Sequence, residues 1–161
     1  KEAIGKSRQL SRGLCPVHLV ERGLETALGE LAAKCTGIFD IACDFRCDHP
    51  VPVADNFIST HLFRITQEAV NNSVLHSEPT RIDVCLDVDP EWVCLTVEDN
   101  GRGIPKGVDH EGLGLRIMNF RAKLIGGVLN IDSAQGKGTR VSLTLRNWAS
   151  QDEGECLKNA S

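Results

Sequence analysis

The chain has 161 residues, a formal net charge of −4, no tyrosine and few other aromatic residues. That length suits one domain with one sizeable core. An acidic balance without basic blocks or stacking rings argues against a nucleic-acid binder. No apolar run approaches the length of a membrane span, and the opening residues read as the interior of a longer protein, not as a signal peptide.

Residues 1–14 are polar with apolar positions at Ile4, Leu10 and Leu14, the pattern of a helix tail that begins upstream and ends at Pro16. The spacing of Leu24, Leu28 and Leu31 predicts a helix over about 20–34, broken by Gly37. Alternation over 38–46 places Phe39, Ile41, Cys43 and Phe45 on one side of a strand, and His49-Pro50 with Val51-Pro52 marks a loop.

A long helix is predicted over about 55–76, with Pro79 just beyond it. Ile58, Leu62, Ile65 and Ala69 form one apolar stripe, and Phe63, Val70 and Val74 form another on the opposite side. Glu68 and Asn72 lie four apart, so they are neighbours on the helix surface, and His76 continues the line. On a helix covered from two sides, such polar groups either pair within the fold or face a wet cavity.

Two alternating strands follow, Ile82–Val88 and Trp92–Glu98, joined by an Asp89-Pro90-Glu91 hairpin turn. The second runs into Asp99-Asn100-Gly101-Arg102-Gly103-Ile104, and after a short spacer comes Gly112-Leu113-Gly114-Leu115. Leu115, Met118, Ala122 and Ile125 give helical periodicity over about 113–125, ended by Gly126-Gly127. Leu129 and Ile131 mark a strand, 134–138 a tight turn, and Val141, Leu143 and Leu145 the last strand. From Asn147 the chain is polar.

Every strand alternates, whereas a doubly wound parallel sheet would show continuous apolar strands. The fold class is therefore α+β, a two-layer α/β sandwich with a mixed, mostly antiparallel sheet and helices on one face. The seven cysteines (Cys15, Cys35, Cys43, Cys47, Cys85, Cys94 and Cys156) include no Cys-x-x-Cys pair and no zinc spacing, so they read as reduced, mostly small apolar fillers of a cytosolic domain. Glycines that follow a carboxylate at a strand end and then open a helix let backbone N–H groups approach a phosphate closely. No Walker A loop is present.

Taken in order, Glu68-x-x-x-Asn72, Asp99-x-Gly101-x-Gly103, Gly112-x-Gly114 and Gly138-Thr139 resemble the Bergerat ATP-binding fold shared by gyrase, heat-shock chaperone, histidine-kinase and MutL-type ATPases. The finer text over about 14–146, including RITQEAVNNSVLHS and VEDNGRGI, resembles the catalytic domain of bacterial two-component sensor histidine kinases, nearest the nitrate-sensor-like subgroup. That resemblance implies ATP and Mg²⁺ as ligands. It implies that Asp99 accepts the adenine amino group, supported by Thr139, and that Asn72 binds both ATP and the metal. Gly101 and Gly103 would pass beneath the base, and Gly112, Leu113, Gly114 and Leu115 would offer N–H groups to the phosphates. Glu68 would be catalytic, holding Mg²⁺ or polarising the nucleophile, with a structural hydrogen bond as the plain alternative.

A packed or solvated His76 and a solvated Arg116 are the expected readings of those two side chains. The lid over 105–111 would be mobile without nucleotide. The resemblance further implies residues 1–19 as the end of a dimerisation helix and linker, 20–146 as the catalytic domain, and 147–161 as a polar tail. None of the five histidines sits in a phosphoacceptor setting, so the acceptor is expected on an upstream dimerisation domain. The implied partners are that domain and a LuxR-type response regulator, with no nucleic acid. The parent would be a homodimer with this cytoplasmic domain, and the chain alone a monomer with little autophosphorylation. The competing readings are a Bergerat-fold ATPase in which Glu68 activates water, an anti-sigma-type serine kinase, and a non-catalytic nucleotide-sensing module.

Overall fold

The computed structural model describes residues 17–48, 55–104 and 112–147. The expected helix tail at 1–14, the loop at 49–52, the lid at 105–111 and the tail from 148 lie outside the described residues, as do Cys15, Cys156, His49 and His110. The elements, in order, are α1 (Val17–Phe39), β1 (Ala42–Cys47), α2 (Asn56–Asn72) with a π-helical turn (Ser73–Ser77), β2 (Arg81–Val88), β3 (Trp92–Asp99), α3 (Leu113–Leu124), β4 (Val128–Ser133) and β5 (Thr139–Arg146).

The sheet order is β1-β2-β3-β5-β4. The β1–β2 pair is parallel and the other pairs are antiparallel, the mixed sheet expected from the alternation. Ile82, Val84, Leu86, Val93, Leu95, Val97, Val141, Leu143 and Leu145 point inward and are buried. The helices cover that side, α1 against β1 and α2, α2 against β3 and α3, and α3 against β4. Leu28, Leu31, Leu62, Phe63 and Ile65 are almost fully enclosed between the layers, each worth about 1.5–3 kcal/mol of apolar transfer.

The opposite side of the sheet is polar. Asp83 receives Arg46 at 3.0 Å and Arg81 at 2.7 Å. The Arg81 hydrogen bond comes first among the causes that hold the Asp83 carboxyl below its usual range. Arg146 stacks over the Trp92 ring, 4.9 Å from its centroid.

Two boundaries differ from expectation. α1 does not stop at Gly37. A helical glycine costs about 1 kcal/mol, and burial of Leu31 and Cys35 nearby outweighs it. Thr36 also fastens the helix end to β1, its Oγ1 accepting the Cys43 N–H at 3.1 Å. The helix stops where Asp40 turns left-handed at φ 58°, so Phe39 belongs to the helix and the strand begins only at Ala42. Nearer its start, α1 bends at Gly23, whose φ of 79° and ψ of 164° are not helical.

The second difference is at the end of the long helix. α2 starts as expected, with Asp55 capping the N–H groups of Phe57 and Ile58. It leaves α geometry after Asn72 and continues as the π turn, which Glu78 closes in a left-handed conformation. Such turns are rare and concentrate at functional sites.

Among the described residues all the cysteines are free thiols, with Cys35 and Cys43 buried and Cys47, Cys85 and Cys94 partly covered. Burial raises the Cys85 thiol above its ordinary value.

Candidate nucleotide-binding site

A cavity of about 660 Å³ opens between α2, the start of α3 and the ends of β3, β4 and β5. Of the residues singled out in the sequence, it brings together Asn72, Asp99, Gly103, Gly112, Leu113, Gly114, Leu115 and Thr139. Gly101 lies behind Asp99 and not on the cavity wall, its N–H donating to Asp99 Oδ1 at 2.9 Å. Glu68 stands at the edge, beside Gly114.

Asp99 ends β3 at a position only 3% exposed. Its Oδ1 also accepts the Ser77 hydroxyl at 2.8 Å, and its Oδ2 accepts the Ser73 hydroxyl at 2.8 Å. A buried carboxylate so supplied with donors is an acceptor fixed in place. Thr139 faces Asp99 across the β3–β5 pair. Its hydroxyl bonds Ser133 Oγ at 2.9 Å, which in turn receives the Ile104 N–H at 2.8 Å. Asn100 points away from the cavity and holds the chain before β2, its Oδ1 accepting the N–H groups of Thr80 and Arg81 at 3.0 and 2.9 Å.

Met118, Ile131, Val141 and Ala69 supply apolar wall to the cavity, and its Asp99 end carries one buried carboxylate. The other end is polar. Gly114 sits so close to α2 that a Cβ there would fall on Glu68 Oε1 and against Asn72 Nδ2. Glycine lets the start of α3 approach those two side chains without displacing their ends. Gly112 precedes the helix and has no side chain to cap it, and the first N–H groups of α3 and its positive end suit an anion. Arg116 is exposed and is not among the cavity-lining residues.

The two described histidines whose side chains lie on the α2 segment differ. His61 is 9% exposed, packed edge-on to Phe57 at 4.5 Å. Burial, and then the Arg121 charge, push its pKa below the ordinary value. His76 is exposed and borders the cavity, and its carbonyl accepts Arg102 Nε at 2.7 Å.

Sequence reasoning missed Ser73, Ser77 and Ser133. Ser73 and Ser77 left a faint trace as a Ser-x-x-x-Ser pair directly after Asn72, but nothing local said that the helix would widen there. Ser133 acts through pairing of β4 with β5, which a linear reading does not contain.

Among known proteins, residues 58–148 match the family described as histidine kinase-, DNA gyrase B-, and HSP90-like ATPase. The sensor histidine kinase LiaS of Bacillus subtilis is 33% identical over 99% of this chain and 44% of its own length. The oxygen sensor histidine kinase NreB of Staphylococcus carnosus is 32% identical over 86% of this chain and 40% of its own length. The chain thus spans less than half the length of these curated relatives. The blue-light activated histidine kinase of Erythrobacter litoralis superposes with a TM-score of 0.63 at 26% identity, over 81% of this chain and 43% of that one. The ATP binding domain of PrrB from Mycobacterium tuberculosis superposes with a TM-score of 0.59 at 24% identity, over 77% of this chain and 93% of that one, a likeness of fold. The match to the family covers α2 from Ile58 onward and every strand and glycine segment that builds the cavity, and the chain is a member of the histidine kinase-, DNA gyrase B- and HSP90-like ATPase family.

Proposed function

We propose that this chain is the ATP-binding catalytic domain of a sensor histidine kinase. It donates the γ-phosphoryl group of ATP to a histidine on an upstream dimerisation domain, for relay to a response regulator of the LuxR type. The observation that carries the reading is the polarity of one cavity, with a buried carboxylate in an apolar slot at one end and an uncapped helix start beside Asn72 and Glu68 at the other. A purine fits the first end and a polyphosphate the second.

In this reading Asp99 accepts from the adenine amino group, and the first N–H groups of α3 hold the phosphates. Asn72 and Glu68 offer one amide oxygen and one carboxylate a helical turn apart, next to where the phosphates would lie. That small all-oxygen set suits Mg²⁺, which keeps several waters and shares its remaining positions with phosphates. When bound, Mg²⁺ would neutralise charge on the transferred group. Glu68 would also accept the proton of an incoming imidazole. The N–P bond forms as the bond from Pγ to the β,γ-bridging oxygen breaks, and ADP leaves.

We assign residues 1–19 to the end of the dimerisation helix and linker, 20–146 to this domain and 147–161 to a polar tail. The setting is cytoplasmic, the parent is a homodimer of the nitrate-sensor-like subgroup, and the chain alone is monomeric. Among the described residues no helix is long and apolar enough to cross a membrane.

The test is titration with ATP, followed by addition of the upstream helices with γ-labelled ATP. Acid-labile, base-stable label on those helices is the expected result. Steady phosphate release without label transfer would mean an ATPase instead. Asn72→Ala is expected to weaken ATP binding about tenfold when Mg²⁺ is present, the worth of one ligand or charge-assisted hydrogen bond, and much less in chelator. An equal loss in both conditions would remove the metal role.

A further inference from the structure

The Asp99 carboxylate is more heavily occupied than holding a base requires. Oδ1 accepts from both Gly101 N at 2.9 Å and Ser77 Oγ at 2.8 Å, and Oδ2 accepts from Ser73 Oγ at 2.8 Å. Ser73 Oγ also lies 3.2 Å from the Ala69 carbonyl. Its single proton goes to the shorter, charge-assisted contact. Ser73 and Ser77 are 8% and 5% exposed, and both border the cavity. An ionised carboxylate has about four lone-pair positions. Here Oδ1 has none left and Oδ2 has one.

We propose that Ser77 determines base selectivity as a positioning residue, by filling with Gly101 the acceptor positions on Asp99 Oδ1, while Ser73 holds Oδ2 and leaves it a single open position. The inference rests on the reading of Asp99 as the base acceptor. Adenine presents one amino N–H to such a site and is satisfied by one lone pair. Guanine recognises a carboxylate through two adjacent donors, N1–H and N2–H, and needs one open lone pair on each oxygen. Ser77 and Gly101 deny it the one on Oδ1. Turned the other way, guanine brings its O6 acceptor against Oδ2, and two acceptors repel. Both serines lie on the π turn, four residues apart, and bond the two oxygens of the same carboxylate.

The two serines are not equivalent in this account, and that makes it testable. Ser77→Ala opens a lone pair on Oδ1 and completes a fork for guanine. Ser73→Ala opens a second position on Oδ2 and leaves Oδ1 full. The experiment is calorimetric titration of the chain with ATP and with GTP, each with Mg²⁺, for the parent sequence and the variants Ser77→Ala, Ser77→Thr and Ser73→Ala. For Ser77→Ala, GTP affinity is expected to rise about tenfold, the worth of one charge-assisted hydrogen bond, while ATP affinity changes by less than about threefold. Ser73→Ala and Ser77→Thr, which keeps the hydroxyl, should hold the parent ATP-to-GTP ratio. A residue that merely supports the fold would weaken both nucleotides together and leave the ratio unmoved.

Should Ser77→Ala fail to fold, Ser77→Cys replaces the hydroxyl by a weak donor of similar size and should shift the ratio in the same direction. An unchanged ratio in every Ser77 variant, with Asp99→Asn still losing ATP, overturns the proposal while sparing the role of Asp99. ATP binding that survives Asp99→Asn overturns both.

Discussion

Asp99→Asn is expected to lower ATP affinity about 100-fold, or about 3 kcal/mol, the cost of exchanging a charge-assisted acceptor for a misplaced donor. The size follows from the three donors already on the carboxylate. Two of them are serine hydroxyls, which can turn and accept. The Gly101 N–H cannot. The substituted amide must therefore place its oxygen toward Gly101 and its NH₂ toward Ser73 and the base. There it confronts the adenine amino group, donor against donor. Calorimetry with ATP reads the loss directly, and an unaltered affinity would remove Asp99 from base recognition.

The second large effect concerns the wall behind that carboxylate. Gly138 has φ +77°, and a Cβ there would fall on the Asp99 carbonyl oxygen. Gly136 has φ +75°, yet a Cβ there meets nothing within 4 Å. The two positions share the left-handed backbone, which costs an L-residue about 1–2 kcal/mol, and only Gly138 adds a collision. The carbonyl it strikes belongs to a strand paired on both sides, at Ile82 and at Thr139, so it cannot retreat cheaply. Gly138→Ala is expected to lose about 4 kcal/mol and to melt about 10 °C or more below the parent, whereas Gly136→Ala should lose only about 1 kcal/mol. Thermal denaturation of the pair checks this, since equal melting temperatures would mean that the close approach has no energetic weight. Displacing Asp99 should also weaken ATP binding in Gly138→Ala.

Much of this was legible in the linear chain. Alternation in Ile82–Val88 and Trp92–Glu98 gave the covered and open sides of the sheet, because side chains on a strand must take opposite sides. The spacing of Ile58, Leu62, Ile65 and Ala69 gave the covered stripe of α2, buried but for the half-covered Ile58. The glycine pairs gave the place where backbone meets ligand. Elements whose ends depend on tertiary forces were not legible. Gly37 reads as a break, and only the packing of Cys35 with the Thr36 contact to β1 keeps it helical. The π turn is invisible for a similar reason, as its serines bond a carboxylate 22 and 26 residues away. Ser133 belongs to the same class, and so does the approach of Gly114 to Glu68 and Asn72, which requires α3 to be laid beside α2.

The loop after β3 is stitched to two other segments. Arg102 N–H donates to the Ser77 carbonyl at 2.8 Å, Gly136 N–H to the Arg102 carbonyl at 2.7 Å, and Ile104 N–H to Ser133 Oγ at 2.8 Å. In the language of hydrogen exchange, these amides share one opening event. None can meet solvent base through its own fluctuation alone, because releasing the loop breaks all three links. The amide protons of Arg102, Ile104 and Gly136 should therefore exchange at closely similar rates, and a purine seated on Asp99 should slow them by a common factor. Protection would spread from the base slot through the stitched loop into the β4–β5 turn, so that occupation of the pocket is read on the turn as one cooperative unit with the loop after β3.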